Sequence, residues 1–218
     1  MQIILASASP RREALLSQAG LDFRVEPSRV REEAARSGDP GSLVEQAALA
    51  KAADVAARVR DGLVLGADTV VVIGRTVLGK PADTAAARGM LQRLSGKTHR
   101  VFTGLALLQV KGGRVTGRQV VHEETTVTMR RLDERDIAAY VATSEPLDKA
   151  GAYGIQGRGG VLVERIEGCY FNVVGLPLAR LAEMLEEFGA SVWRGEIAQS
   201  EGRSGKRLSL PGRGSRRG

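Results

Sequence analysis

Apolar positions along the chain follow two rhythms, and the change from one to the other predicts the elements. Ile3-Ile4-Leu5-Ala6 is a short unbroken apolar run that reads as a first strand, and Ser7-Ala8-Ser9-Pro10-Arg11-Arg12 reads as its turn into a helix. Ser9 stands at the N-cap with Pro10 at the first helical position, Leu15, Leu16 and Ala19 form the apolar face, and Gly20 ends the helix. Phe23 and Val25 alternate with Asp22 and Arg24 in a second short strand that stops at Pro27. Ser42-Leu43-Val44-Glu45 has the spacing of a capping box and opens an alanine-rich helix to about Arg60. Ala87, Met90, Leu91 and Leu94 recur at helical spacing between Asp83 and Gly96. Two long β-prone runs, His99 to Val110 and Val115 to Met129, meet at Lys111-Gly112-Gly113 and predict a hairpin. Asp133 caps a helix whose Ile137, Tyr140 and Val141 face inward. Val161-Leu162-Val163 and Tyr170 to Val174 predict two more strands. Pro177 then opens a last helix with Leu178, Leu181, Leu185 and Phe188 as its stripe. Strands alternate with helices at first and pair locally in the middle, so the fold class is α/β with a mixed sheet flanked by helices.

One stretch breaks the pattern. Leu63-Val64-Leu65 and Val70-Val71-Val72-Ile73 read as a strand buried on both faces, yet Asp68 interrupts them. A carboxylate there is tolerated only if it is paired, bound to a metal or open to a cleft. The alternative is a polar turn, Asp68-Thr69, after Leu65.

Other polar residues stand where a ligand could use them. The turn into the first helix would place two hydroxyls, Arg11 and Arg12 beside unpaired backbone N–H groups, which is either an anion site or a capped helix with solvated arginines. Gly74 to Lys80 fits the spacing of a phosphate-binding P-loop, but Pro81 follows. It has neither a hydroxyl for magnesium nor a backbone N–H, so a P-loop is excluded. Lys80 remains a candidate phosphate ligand as a point charge. The segment from Glu145 to Gly160 carries acids, bases, a phenol, an amide and five glycines, which permit close backbone approach to a ligand. His99 and His122 have no metal-ligand spacing and read as structural residues.

Composition narrows the classes. The chain has 218 residues with 43% hydrophobic and 26% charged, which suits a globular protein with a sizeable core. No run is long and apolar enough for a membrane span, and the N-terminus lacks the pattern of a signal peptide, so a cytoplasmic location without a membrane partner is expected. Cys169 is the single cysteine, which excludes an internal disulfide and fits a reducing compartment. The net charge is +7, but residues 196–218 hold six Lys/Arg against two Glu, leaving only +3 on the rest. Residues 194–218 therefore read as a basic, glycine-rich, disordered tail, and 1–193 as the domain. A near-neutral domain and a chain with 4% aromatic residues argue against nucleic acid as the partner.

Taken in order, ASASPRR, Glu32, Lys51-Ala52, GADTVV, GKP, SGKTHRVFTG, EPLDKAGAYGIQG and VVGLPL resemble the Maf family of nucleoside triphosphate pyrophosphatases over about residues 3–190. The resemblance implies the fold of the inosine triphosphate pyrophosphatases, with two lobes around a central cleft. It also implies hydrolysis of a nucleoside triphosphate between the α and β phosphorus atoms, with a divalent cation, Mg²⁺ or Mn²⁺, as cofactor. By the same resemblance Asp68 is the proton acceptor, and Arg11, Thr69 and Gln156 mark the branch that acts on dTTP and UTP. An amide such as Gln156 can both donate to and accept from a uracil or thymine edge. Ser7, Arg11, Arg12, Lys51 and Lys80 would bind the phosphates, the four cations neutralising their charge, and Glu32 and Asp68 would hold the metal. Asp148 and Lys149 are candidates for building the loop or touching phosphate. One departure is Arg31, where the family often has an acid before the Glu32 position. Two alternatives stay open: the 7-methyl-GTP branch of the family, and a nucleotide-binding regulator of septum formation. Dimerisation is common among resembling proteins, and no surface stripe establishes a homodimer here.

Overall fold

The structure is a computed structural model that describes residues 2–30 and 38–193. Seven strands form one sheet in the order β2-β1-β3-β5-β6-β7, with β4 beside β3. β1 (Ile3–Leu5) lies parallel to β2 (Phe23–Val25) and to the start of β3 (Gly62–Ile73). β5 (Thr98–Lys111) runs antiparallel to β3 and pairs with β6 (Arg114–Met129), so the predicted hairpin is present. β7 (Val163–Glu167) closes the far edge, and β4 (Thr76–Leu78) pairs with the end of β3.

β3 is longer than its neighbours on one side, and that mismatch makes the cleft. β1 pairs with Leu63 to Leu65 and β4 with Val71 to Ile73, whereas β5 pairs along the strand from Gly62 to Val72. Between the two short partners, Gly66 to Val70 have strand β5 on one edge and neither β1 nor β4 on the other. Asp68 lies in this gap, inside a continuous strand, so the alternative of a turn after Leu65 is excluded.

One helix backs the sheet. α2 (Pro40–Ala56) covers β3 and β5 so closely that a Cβ added at Gly66 would overlap the Ala48 carbonyl oxygen, and one at Gly104 would overlap that of Val44. Its start differs from the expected capping box. Asp39 is the N-cap, its carboxylate accepts from the Ser42 N–H and hydroxyl, and Pro40 opens the helix. Glu45 turns instead to His122 Nδ1, 2.7 Å away, so the S-L-V-E spacing loses to a better cap three residues earlier.

Two apolar cores occupy the other face. α1 (Pro10–Gln18) and α6 (Leu178–Glu187) cover Leu63, Leu65, Ala67, Leu105 and Leu107. α3 (Thr84–Leu94) and α4 (Glu134–Ala142) cover Val71, Val101, Val127 and Met129. α5 (Tyr170–Val174) bridges them, with Phe171 and Val174 on the first core and Val173 on the second. This segment was expected as a strand. It is a helical turn because its side chains must reach two cores and, through Asn172, the sheet between them, which overrides β-propensity. The expected strand at Val161-Leu162 is likewise a 3-10 turn, and pairing begins at Val163. Ser9 is the N-cap of α1 by backbone geometry but makes no side-chain cap bond.

Candidate active site

A buried polar line separates the two cores. The Arg12 guanidinium donates from Nε to the Gly175 carbonyl at 2.8 Å, from NH1 to Ser7 Oγ at 3.1 Å and from NH2 to Thr69 Oγ1 at 3.1 Å. Thr69 Oγ1 lies 2.9 Å from Thr103 Oγ1, and Thr103 donates to the Asn172 carbonyl at 3.0 Å. The Asn172 amide then donates to Thr125 Oγ1 and the Val101 carbonyl. Thr103, Thr125 and Asn172 are fully or almost fully buried, so each bond replaces water that the site excludes. Sequence reasoning missed Thr103, Thr125 and Asn172. The signal of the two threonines, hydroxyls among apolar residues on neighbouring strands, becomes visible only once the register aligns Thr69 with Thr103 and Val101 with Thr125.

The cleft holds two adjoining cavities that share Ser9, Arg11, Arg12, Lys80 and Asp148. The first, about 240 Å³, is walled by Val71, Val77, Val101, Tyr153, Ile155 and Val173, with Asp68, Thr69, Lys149 and Gln156 as its own polar groups. The second, about 400 Å³, is lined by Ser7, Ser28 and four cations, Arg11, Arg12, Lys51 and Lys80, at the N-terminus of α1. Lys51 Nζ donates to Asp68 Oδ1 at 2.8 Å, and both side chains are buried. α2 sets this contact, because its direct seat on Gly66 brings Lys51 to the strand. Asp68 thus lines the first cavity, with its larger apolar wall, while its partner lines the second.

The mouth is crossed by an ion pair. Arg11 NH1 lies 2.6 Å from Asp148 Oδ2, and the other carboxylate oxygen accepts from Lys149 Nζ at 2.7 Å. Burial pushes the Asp148 carboxyl up, but Lys149 and Arg11 outweigh it and hold the group below its usual range. Lys149 also donates to the Glu145 carbonyl. The Glu145 carboxylate accepts from the Tyr140 hydroxyl and the N–H groups of Arg158 and Gly159, which pins the loop carrying Gln156. Burial raises the Glu145 pKa, and those three donors more than reverse the shift.

Ser7, Arg11, Arg12, Lys51, Asp68, Thr69, Lys80, Asp148, Lys149 and Gln156 therefore converge on one cleft. Glu32 and Arg31 lie outside the described residues, as does the basic segment 194–218. Among the described residues no group of three or more His, Cys, Asp and Glu is placed to hold a metal ion. Asp68 places one carboxylate at the cavity, a hard oxygen donor of the kind that suits Mg²⁺, an ion held by one or two carboxylates together with substrate phosphates. No helix of the described residues is long and apolar enough to cross a membrane.

The Maf-like protein family matches residues 2–188. The dTTP/UTP pyrophosphatase of Moorella thermoacetica is 56% identical over 192 residues, covering 88% of this chain and 97% of the relative. That of Pelotomaculum thermopropionicum is 51% identical over 191 residues, covering 88% and 98%. Among solved structures, a HAM1 protein from Coxiella burnetii shares the fold with a TM-score of 0.50 and 16% identity, covering 86% of this chain and 99% of that one.

Proposed function

The chain belongs to the Maf family, and from that premise we propose that it is a dTTP/UTP pyrophosphatase, releasing the nucleoside monophosphate and pyrophosphate. The observation that carries this reading is the Lys51–Asp68 pair, which joins a cavity shaped for a base and sugar to one shaped for phosphates. An apolar slot ending in an amide, Gln156, suits a pyrimidine ring, which stacks by its faces and is read at its edge. Arg11, Arg12, Lys51, Lys80 and the start of α1 suit a triphosphate, whose charge they would neutralise without reorganisation.

With the substrate so oriented, the α-phosphorus comes to the boundary between the cavities, beside Asp68. Asp68 accepts the proton of the attacking water, and Lys51 orients the carboxylate through its 2.8 Å hydrogen bond. The bond from the α-phosphorus to its bridging oxygen breaks, and pyrophosphate leaves among the cations. Asp68 and Glu32 would hold the divalent cation, Mg²⁺ or Mn²⁺. When bound, the cation supplies charge neutralisation and polarises a phosphoryl oxygen. Residues 1–193 carry the reaction and 194–218 form an extension outside it. A single cysteine and a nucleotide substrate accord with a cytoplasmic setting.

Pyrophosphate release with Mg²⁺ from dTTP, UTP, CTP and 7-methyl-GTP tests the reading, with Asp68→Asn in parallel. Turnover of dTTP and UTP that is lost in the variant is the expected result. A preference for 7-methyl-GTP would overturn the base assignment, and nucleotide binding without turnover would favour a regulatory protein.

A further inference from the structure

Thr69 is half-buried, and it lines the first cavity, beside the apolar wall, and not the second. Its hydroxyl has one proton and two lone pairs to place. Arg12 NH2, a pure donor 3.1 Å away, occupies one lone pair. Thr103 Oγ1 lies 2.9 Å away, and either hydroxyl could donate across that gap. The next bond along the line decides which one does. Thr103 Oγ1 is 3.0 Å from the Asn172 carbonyl oxygen, which can only accept. The nearby N–H groups of Gly175 and Leu176 both go to the Phe171 carbonyl, so among the described residues Thr103 is the donor that satisfies Asn172. The single Thr103 proton is therefore committed, and the Thr69 proton must point to Thr103. One lone pair of Thr69 is left for the cavity.

We propose that Thr103 is a positioning residue that makes Thr69 an acceptor-only group, and that Thr69 in this state receives the N3–H of a uracil or thymine base. The proposal rests on the cleft being the pyrimidine nucleotide site. An acceptor-only oxygen repels phosphate, whose oxygens are themselves acceptors at neutral pH. The uracil and thymine rings carry a single N–H donor, N3–H once N1 is glycosylated. Cytosine presents a bare N3 at that position, so two lone pairs would face each other with water excluded, at the cost of two unsatisfied acceptors. Base selection is thereby set one hydrogen bond beyond the residue that touches the ligand, by a partner 34 residues from it in sequence.

The test is kcat and KM for UTP and CTP with the full chain and with Thr103→Val, Thr103→Ser and Thr69→Val. Valine keeps the shape of Thr103 but gives Thr69 no acceptor, so the Thr69 proton is released toward the cavity. The expected result is that the UTP-to-CTP ratio of kcat/KM falls about tenfold in Thr103→Val, mainly through KM, and is retained in Thr103→Ser. A residue that only supports the fold would weaken both substrates equally, so an unchanged ratio in Thr103→Val overturns the proposal. A ratio that moves in Thr69→Val but not in Thr103→Val overturns it while leaving the base-facing role of Thr69 intact. An unchanged ratio in Thr69→Val removes that role, and the proposal with it. If Thr103→Val does not fold, the unmodified protein answers with N3-methyl-UTP. Its KM should exceed that of UTP by about tenfold or more, and equal values would sink the idea.

Discussion

Lys51 Nζ and Asp68 Oδ1 lie 2.8 Å apart across the boundary of two cavities, one charge belonging to a helix and the other to the strand beneath it. Neither residue is more than 7% exposed, so each depends on the other for much of the solvation it has given up. Replacing one member should therefore cost stability as well as function. Lys51→Met is expected to lose about 3–5 kcal/mol in urea unfolding, while Asp68→Asn, which retains shape and an acceptor, stays folded. Its pyrophosphate release should fall by about 10²–10⁴-fold, the usual worth of a positioned general base.

Gly66→Ala tests the seat of α2. The new methyl group would overlap the Ala48 carbonyl oxygen and crowd Ala52, neither of which is a flexible side-chain end. The helix must lift, at about 2–3 kcal/mol. Because Lys51 rides on that helix, kcat should fall too, although residue 66 touches no substrate. Thermal unfolding and turnover measured together check this, and a stable variant with full activity would contradict it.

Asp148→Asn removes the partner of Arg11 at the cleft mouth. The pair is partly exposed, with Asp148 at 60% and Arg11 at 28%, so less than about 1 kcal/mol of stability should be lost. The guanidinium loses its orientation, and KM for UTP should rise about threefold to tenfold with kcat little changed. The Asp148 carboxyl titrates below its usual range, so the contact is present above the ordinary aspartate value and is lost only as the pH falls through the lower folded one. Activity between pH 6 and 8 should therefore owe nothing to its titration.

His99 is 2% exposed, with Nε2 beside the Tyr153 hydroxyl at 2.7 Å, and burial lowers its pKa from 6.5 to about 4. The unfolded chain takes up this proton near pH 6.5 while the folded one does not. Stability is thus complete above that pH and falls as the pH drops toward 4, by up to about 3 kcal/mol. Unfolding free energies at pH 7.5 and 5 should show the decline, and His99→Phe should flatten it. A parallel decline in the variant would assign the effect to other groups.

Much of this was legible in the sequence. Pro10, Asp83 and Asp133 mark helix starts by local chemistry, and each stands where it was expected. Asp68 announced itself as a carboxylate inside an apolar strand. The segment Tyr170 to Val174 was misjudged because its β-prone residues answer to two cores and a buried amide, none of which is local. Asp39 displaced Ser42 as the cap of α2, and Glu45 found His122, 77 residues away, instead of its own helix end.

By itself the sequence determined most of the elements, the mixed sheet and the identities of the charged cleft residues, because periodicity, caps and charge types are properties of short stretches. Only the tertiary structure decided that β1 and β4 leave a gap along β3, that Lys51 meets Asp68 there, and that the Thr69 and Thr103 hydroxyls meet. Those facts depend on strand register and on helix-to-sheet distance. They arise only when residues far apart in the chain compete for the same buried donors and acceptors.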